Sequence, residues 1–316
     1  MPIFSGCSGE FDVVRESRVV LGTVVQITLS HHSEEEARAA MERAFEEFER
    51  IDGVMSGYLP GSEVSKINRE AAGGPVDAGS EVLALLGEAI DVSRESGGAF
   101  DITVGPLMEL YRFDEGGEVP SSEDIGRALA SVGHGKIDVD GERGTVAFSE
   151  EGVKIDLGGI GKGYAVDRAA AVLAAEGVTN AIIDAGGDLR LLGHRPGKDF
   201  WRIGIRHPRE PGRFLLSIDL ADRAVVTSGD YERFFMRGDE RFHHLLDPST
   251  GLPARGCQSV TVIARSTAAA DAYATAAFVL GPERGLAYLR ALEDVEGIIV
   301  DSDGEVLWTD RAALGQ

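Results

Sequence analysis

The sequence predicts an α+β fold, with mixed, largely antiparallel sheets and helices packed on them. Three observations carry this expectation. β-Branched runs and amphipathic segments are intermingled without a regular strand–helix–strand alternation, which speaks against a doubly wound sheet. Neighbouring apolar runs are joined by short turn sequences such as Asp303-Gly304, which return one strand onto the next. At 316 residues the chain can bury the core of one large domain or two, and no internal repeat or low-complexity linker divides it.

Residues 1–17 read as a disordered leader, and 18–316 as the folded domain, with or without a smaller subdomain. Residues 18–29 are dense in Val, Ile and Thr and predict one long strand interrupted at Gly22. Ser33-Glu34-Glu35-Glu36 is a capping box, and behind it Ala37, Ala40, Met41, Ala44, Phe45, Phe48 and Ile51 recur at helical spacing. Met55-Ser56-Gly57-Tyr58 ends that helix, and Pro60-Gly61-Ser62-Glu63 opens a turn leading to Asn68. A second helix starts near Ser80, turns Val82, Leu83, Leu86, Ala89 and Ile90 inward and stops at Gly97-Gly98. Residues 99–107 form an irregular, aromatic-bearing loop with Tyr111 and Phe113 beyond it. A short helix over 121–132 and a hairpin of 136–139 with 145–148 follow. Strands are expected over 180–184, 189–192, 201–206, 214–219, 224–227, 241–246 and 259–264, then helices over 269–280 and 282–292. The hairpin of 297–300 with 305–308 closes the chain.

A formal charge of −22 argues against nucleic acid or an anionic membrane surface as the main partner. Cys7 and Cys257 allow at most one bridge, so no disulfide framework is implied. No stretch is long and apolar enough for a membrane span. Phe4-Ser5-Gly6-Cys7 resembles the cleavage box of a bacterial lipoprotein without the basic and apolar regions that should precede it. As it stands the sequence points to the cytoplasm. A truncated start would instead make the protein exported and lipid-anchored on the outer face of the inner membrane, the anchor being its one membrane contact.

The chemistry concentrates in a few polar interruptions. Asp156-Leu157-Gly158-Gly159-Ile160-Gly161-Lys162-Gly163-Tyr164 lies between an apolar run, expected to be a strand, and an alanine-rich helix. Its glycines let the backbone come close to a ligand, and the helix start offers free N–H groups to an anion. The same stretch also fits a plain strand-to-helix corner, and it matches neither a Walker A loop nor the dinucleotide fingerprint. Asp271 and Thr275, four apart on an apolar helix, share a face and offer hard oxygens of the kind Mg²⁺ takes; Asp271 could equally be a cap. His244 precedes the turn Asp247-Pro248-Ser249-Thr250-Gly251 and reads as a proton shuttle, a phosphate contact or a structural histidine. Thr227-Ser228-Gly229-Asp230 would hold an anion or cap the next segment.

Taken in order, the glycine bend, Asp184-Ala185-Gly186-Gly187-Asp188, Thr227-Ser228-Gly229-Asp230-Tyr231, His244 to Gly251 and Ala270-Asp271-Ala272-Tyr273-Ala274-Thr275 resemble the ApbE family of FAD:protein FMN transferases. The resemblance extends upstream through Leu21-Gly22-Thr23, Met55 to Tyr58 and Ala99 to Leu107, roughly residues 18 to 310. It implies an ApbE-like, T-fold-related architecture and a Mg²⁺-dependent enzyme that splits FAD. FMN would pass to a Thr or Ser hydroxyl of an acceptor flavoprotein, with release of AMP. The acceptor would be a subunit of a redox complex with a Ser/Thr-Gly-Ala-Thr-like site. Carried over residue by residue, the resemblance implies metal ligation by Asp271, Thr275 and the carbonyls of Ala274 and Gly161. It implies a flavin site at Leu21, Tyr58, Ala99, Phe100, Asp101, Gly158, Tyr164 and Leu246, with the catalytic His244 near the pyrophosphate. Leu21 stands where the family usually has Met, Gly161 where it often has Ala, and Tyr111 where it has Trp. An FAD pyrophosphatase and a non-catalytic flavin-binding protein are the alternatives.

Overall fold

The computed structural model describes residues 12–114 and 116–310, so the expected leader up to residue 11, with Cys7, lies outside it. The first strands already differ from expectation. β1 (Asp12–Val20) and β2 (Thr23–His31) pair antiparallel with Val20 opposite Thr23. Leu21 and Gly22 make the two-residue turn, at φ 55° and 68°. The single strand expected over 18–29 is therefore a hairpin, and residues 12–17 belong to its first arm rather than to a leader. Leu-Gly is not among the residue pairs that announce a turn with two left-handed positions, so the alternation reads straight through it.

α1 (Glu34–Met55) buries every residue of the predicted stripe, from Ala37 to Ile51. Ser33 Oγ accepts from the Glu36 N–H at 3.3 Å, while the Ser33 N–H donates to His31 Nδ1 at 3.2 Å, so only half of the capping box is made. Where the sequence predicts a turn, α2 (Glu63–Glu70) begins behind Ser62, whose Oγ accepts from the Ser65 N–H at 3.0 Å. β3 (Val76–Asp77) leads to α3 (Ser80–Glu95), which buries Leu85 in place of the expected Leu83. A 3₁₀ turn (Ile102–Val104), α4 (Gly105–Met108), α5 (Ser122–Leu129) and a second 3₁₀ turn (His134–Lys136) precede β4 (Ile137–Asp140) and β5 (Thr145–Phe148), which form a small sheet with β3.

The apolar run before the glycine bend is not a strand. Asn68, on α2, donates through Nδ2 to the Ile155 carbonyl at 2.9 Å and accepts from the Ile155 N–H at 2.7 Å. One side chain thus supplies both bonds that a neighbouring strand would have made.

After α6 (Gly161–Ala175) come β6 (Ala181–Ala185), β7 (Asp188–Leu192), β8 (Trp201–Arg206), β9 (Phe214–Leu220) and β10 (Ala224–Gly229). The strand expected over 241–246 is shorter, β12 (Glu240–His243), and pairs with β11 (Phe234–Arg237), which the sequence does not announce. β13 (Cys257–Ala264), α7 (Thr267–Leu280), α8 (Pro282–Ala291), β14 (Glu296–Asp301) and β15 (Val306–Trp308) complete the order. Among the described residues Cys257 is buried and has no disulfide partner.

The main sheet has eight strands in the order β1-β2-β6-β7-β10-β13-β14-β15, each pair antiparallel. One face packs on helices: Val226, Val260, Val262 and Ile299 meet Ala274, Ala277 and Phe278 of α7. On the other, Val225, Ile263 and Ile298 meet Ile203, Ile205 and Ile218 of the β8–β9 ribbon. This double covering explains why every residue of β13 is buried, where a one-sided strand would alternate.

α6 crosses α7 at Gly163, where a Cβ would stand 2.3 Å from the Thr267 carbonyl oxygen. Gly163→Ala should therefore force the two helices apart. We expect it to lower stability by about 2–3 kcal/mol, the upper part of the overpacking range, as a fall in the urea midpoint.

Candidate active site

The crossing of α6 and α7 also assembles the polar groups. Asp167 on α6 holds the start of α7, accepting from Ser266 Oγ at 2.9 Å, the Thr267 N–H and Oγ1 at 2.7 Å each, and the Ala268 N–H at 3.0 Å. With α7 fixed in rotation, Asp271 Oδ2 lies 3.3 Å from the Gly163 N–H and 3.3 Å from Lys162 Nζ. Lys162 also bonds Asp188 Oδ2 at 2.5 Å, at the start of β7. Both carboxylates are only 3% exposed.

Burial and then the Asp188 charge raise the Asp271 pKa well above the carboxylate range. Burial opposes the Lys162 ammonium, but Asp188 and Asp271 outweigh it and hold the lysine charged. A second carboxylate beside one ammonium is costly to ionise, and a further cation would relieve that cost.

One turn on, Thr275 Oγ1 lies 3.4 Å from Ser228 Oγ at the end of β10. A Cβ on Gly159 would stand 3.3 Å from Thr275 Oγ1 and 3.2 Å from the Phe100 ring. The glycine bend and the α7 turn therefore face one another at contact distance. Gly161 opens α6, its N–H on the Leu157 carbonyl at 2.7 Å, and Ala274 is fully buried beside Thr275.

His244 follows β12. Its N–H and its Nδ1 lie 3.1 and 3.3 Å from the Arg233 carbonyl oxygen. A carbonyl only accepts, so Nδ1 carries the proton and Nε2 presents a lone pair. Burial, then the charge of Arg233, pushes the imidazole pKa down to about 3; Lys162 adds to this, so the ring lies within the field of both cations. Its neighbour His243 is held by Nε2 on the Ala254 carbonyl at 3.0 Å and is pushed down to about 4 by burial.

The residues assigned to a flavin occupy several places. Tyr58 is 75% exposed, and its hydroxyl donates to Asp156 Oδ2 at 3.2 Å. The Asp156 charge, then burial, pushes that hydroxyl up to about 12. Gly158 donates its N–H to the other Asp156 oxygen at 2.7 Å. Phe100 is buried against Gly159, and Ala99 beside it is half-buried. Asp101 braces its own loop, with Oδ1 accepting from the Thr103 N–H and Oγ1, and Oδ2 from the His134 N–H at 2.7 Å. Tyr164 points its hydroxyl at Glu81 Oε1, 2.8 Å away, in a network with Arg50 and Arg168. Leu21 packs from the β1–β2 turn onto the main core. Leu246 is buried with Leu107, Tyr111 and Phe235, and bridges to Pro253.

Sequence reasoning gives no role to Asp188, Asp167, Asn68 or Asp156. Asp188 closes a Gly-Gly turn, where an exposed aspartate and a buried ion-pair partner look alike in sequence. Asp230, expected in an anion site or a cap, instead accepts a bidentate pair from Arg209 at 2.7 and 2.6 Å and a bond from Arg241 at 2.9 Å.

Fold and site together define a class first: an α+β protein with a buried polar centre hung between two helices over an antiparallel sheet. The ApbE protein of Thermotoga maritima has this architecture, with a TM-score of 0.89 and 37% identity over 96% of this chain and 99% of that one. The flavin transferase ApbE of Vibrio cholerae matches at a TM-score of 0.84 and 29% identity, covering 95% of this chain and 97% of that one. The ApbE family model matches residues 21–299. The FAD:protein FMN transferase of Treponema pallidum is 33% identical over 98% of this chain and 90% of its own length. The chain belongs to the ApbE family.

Proposed function

We propose that this protein is a Mg²⁺-dependent FAD:protein FMN transferase that attaches FMN through a phosphoester bond to a Thr or Ser of an acceptor flavoprotein. The observation that carries this reading is the close approach of the glycine bend to the Asp271–Thr275 turn, with Lys162 beside it and a neutral His244 within its field.

The donor set fits a hard divalent ion: a buried carboxylate with a second one across Lys162, and a hydroxyl one turn away. Asp271, Thr275 and the carbonyls of Gly161 and Ala274 would hold Mg²⁺. When bound, it would supply Lewis-acid neutralisation of the phosphoryl oxygens. The Lys162 ammonium would bring FAD's diphosphate into an otherwise acidic protein. Tyr58, Ala99, Phe100, Gly158, Tyr164, Leu21 and the backbone at Leu246 would surround the flavin half, with Asp101 fixing the loop that carries Ala99 and Phe100.

The acceptor oxygen forms a bond to the FMN phosphorus as the bond between the two phosphates breaks, and AMP departs with those electrons. His244 Nε2 takes the hydroxyl proton. Phosphoryl-transfer transition states are largely dissociative, so alignment of the hydroxyl matters more than a strong base.

The acceptor would be a subunit of a redox complex carrying a Ser/Thr-Gly-Ala-Thr-like site. Incubation with FAD, Mg²⁺ and a protein bearing such a site should give an acceptor heavier by one FMN, with an equal amount of AMP. FMN and AMP without an adduct would mean a pyrophosphatase, and no AMP a binding protein.

A further inference from the structure

Arg233 differs from the arginines around it. Arg206 pairs with Glu232, Arg209 and Arg241 with Asp230, Arg237 with Glu118 and Arg255 with Glu240. Arg233 is exposed and has no side-chain hydrogen bond or ion pair among the described residues. Acidic side chains outnumber basic ones, 53 to 31, so a cation without a carboxylate is not for want of candidates.

Its direction follows from the β11–β12 register. Phe234 stands opposite His243 and Phe235 opposite Phe242, so the next pair outward is Arg233 with His244. Directly opposite residues of an antiparallel pair project on one face, roughly 5 Å apart at Cβ. That face carries the stacked rings of Phe235 and Phe242, 5.3 Å apart, with Phe113 edge-on to His244 at 6.4 Å. Arg237 and Arg255 already lie over those two phenylalanines, each at 5.9 Å. The Arg233 charge reaches both Tyr58 and His244, favouring ionisation of the phenol and opposing protonation of the imidazole. Arg233 and Lys162 both act on His244, the lysine from beside Asp271.

We propose that Arg233 is a specificity residue for the diphosphate of FAD, taking phosphate oxygens beside His244 while Lys162 and the Asp271 turn hold the rest of the diphosphate. The proposal rests on the flavin-transferase reading. A guanidinium can take two oxygens of one phosphate, a geometry that an ammonium cannot reproduce. The contact would make the site favour a dinucleotide over a flavin without a diphosphate.

The test compares wild type, Arg233→Met and Arg233→Lys, without acceptor, for binding of FAD and riboflavin by flavin fluorescence. Inhibition of transfer by ADP gives a second measurement. Arg233→Met should weaken FAD and ADP by ~10–100-fold, the range of a charge-assisted hydrogen bond, and leave riboflavin unchanged. Arg233→Lys should recover part of the loss, and the change should fall on KM for FAD more than on kcat. Unchanged FAD and ADP affinity would overturn the proposal, and so would equal weakening of riboflavin and FAD, which would mean that Arg233 merely shapes the hairpin. The underlying reading fails separately, if wild type forms no FMN adduct.

Discussion

Asp271→Asn should abolish FMN transfer, by at least ~10³-fold in kcat/KM, and remove the response to Mg²⁺ with it. Such a loss corresponds to about 4 kcal/mol of transition-state stabilisation, within what a Lewis-acid ion supplies. The variant should remain folded. Asp271 is buried with its pKa raised, so the fold gains little from its charge, while Asp188 keeps Lys162 at 2.5 Å. Asn preserves the shape and can still accept from the Gly163 N–H. Urea unfolding should therefore show near-wild-type stability beside a dead enzyme. Transfer that still rises with Mg²⁺ would falsify the ligand assignment. Thr275→Val should be milder, raising the Mg²⁺ concentration needed for half-maximal rate, because a neutral hydroxyl contributes less to the ion than a carboxylate does.

What is legible in the sequence divides along physical lines. α1 is legible because a stripe from Ala37 to Ile51 has one explanation, burial of one helix face. The approach of the glycine bend to the α7 turn follows from the resemblance, and the structure shows why it is so close: Gly163 permits the crossing and Asp167 sets the rotation of α7. Asp167 itself is illegible, since an aspartate in an alanine-rich helix shows no sign of the helix it will cap 100 residues on. Asn68 is hidden for the same reason, its backbone partner lying 87 residues away. The β1–β2 turn escapes notice because Leu21 takes a left-handed conformation that its residue type does not advertise. Asp101 shows the complementary case. A resemblance carries a position across, and the bonds to Thr103 and His134 add what its side chain does in the loop.

His244→Gln separates positioning from proton transfer. Loss of a proton acceptor should lower kcat by ~10²–10⁴-fold, with a smaller change in KM for FAD. A loss below tenfold would remove His244 from that role and leave it a phosphate contact. The pH dependence gives an independent check. His244 has its pKa depressed to about 3, so it stays neutral across the working range, and kcat should show no acid limb near the ordinary histidine value of about 6.5. The same shift acts on stability with a definite sign. A histidine depressed in the folded state binds fewer protons there than in the unfolded chain. Its contribution is therefore complete above about pH 6.5 and is lost as the pH falls towards the folded value. His243, depressed to about 4, acts in the same direction. Wild type should lose stability between about pH 6.5 and about pH 4.5, and His244→Gln should lose less over that interval, because one of the two protonations that drive unfolding is gone. Urea midpoints at both pH values measure this. An equal slope in wild type and variant would mean that His244 is not held neutral by its surroundings, and an acid limb near the ordinary histidine value should then appear in kcat.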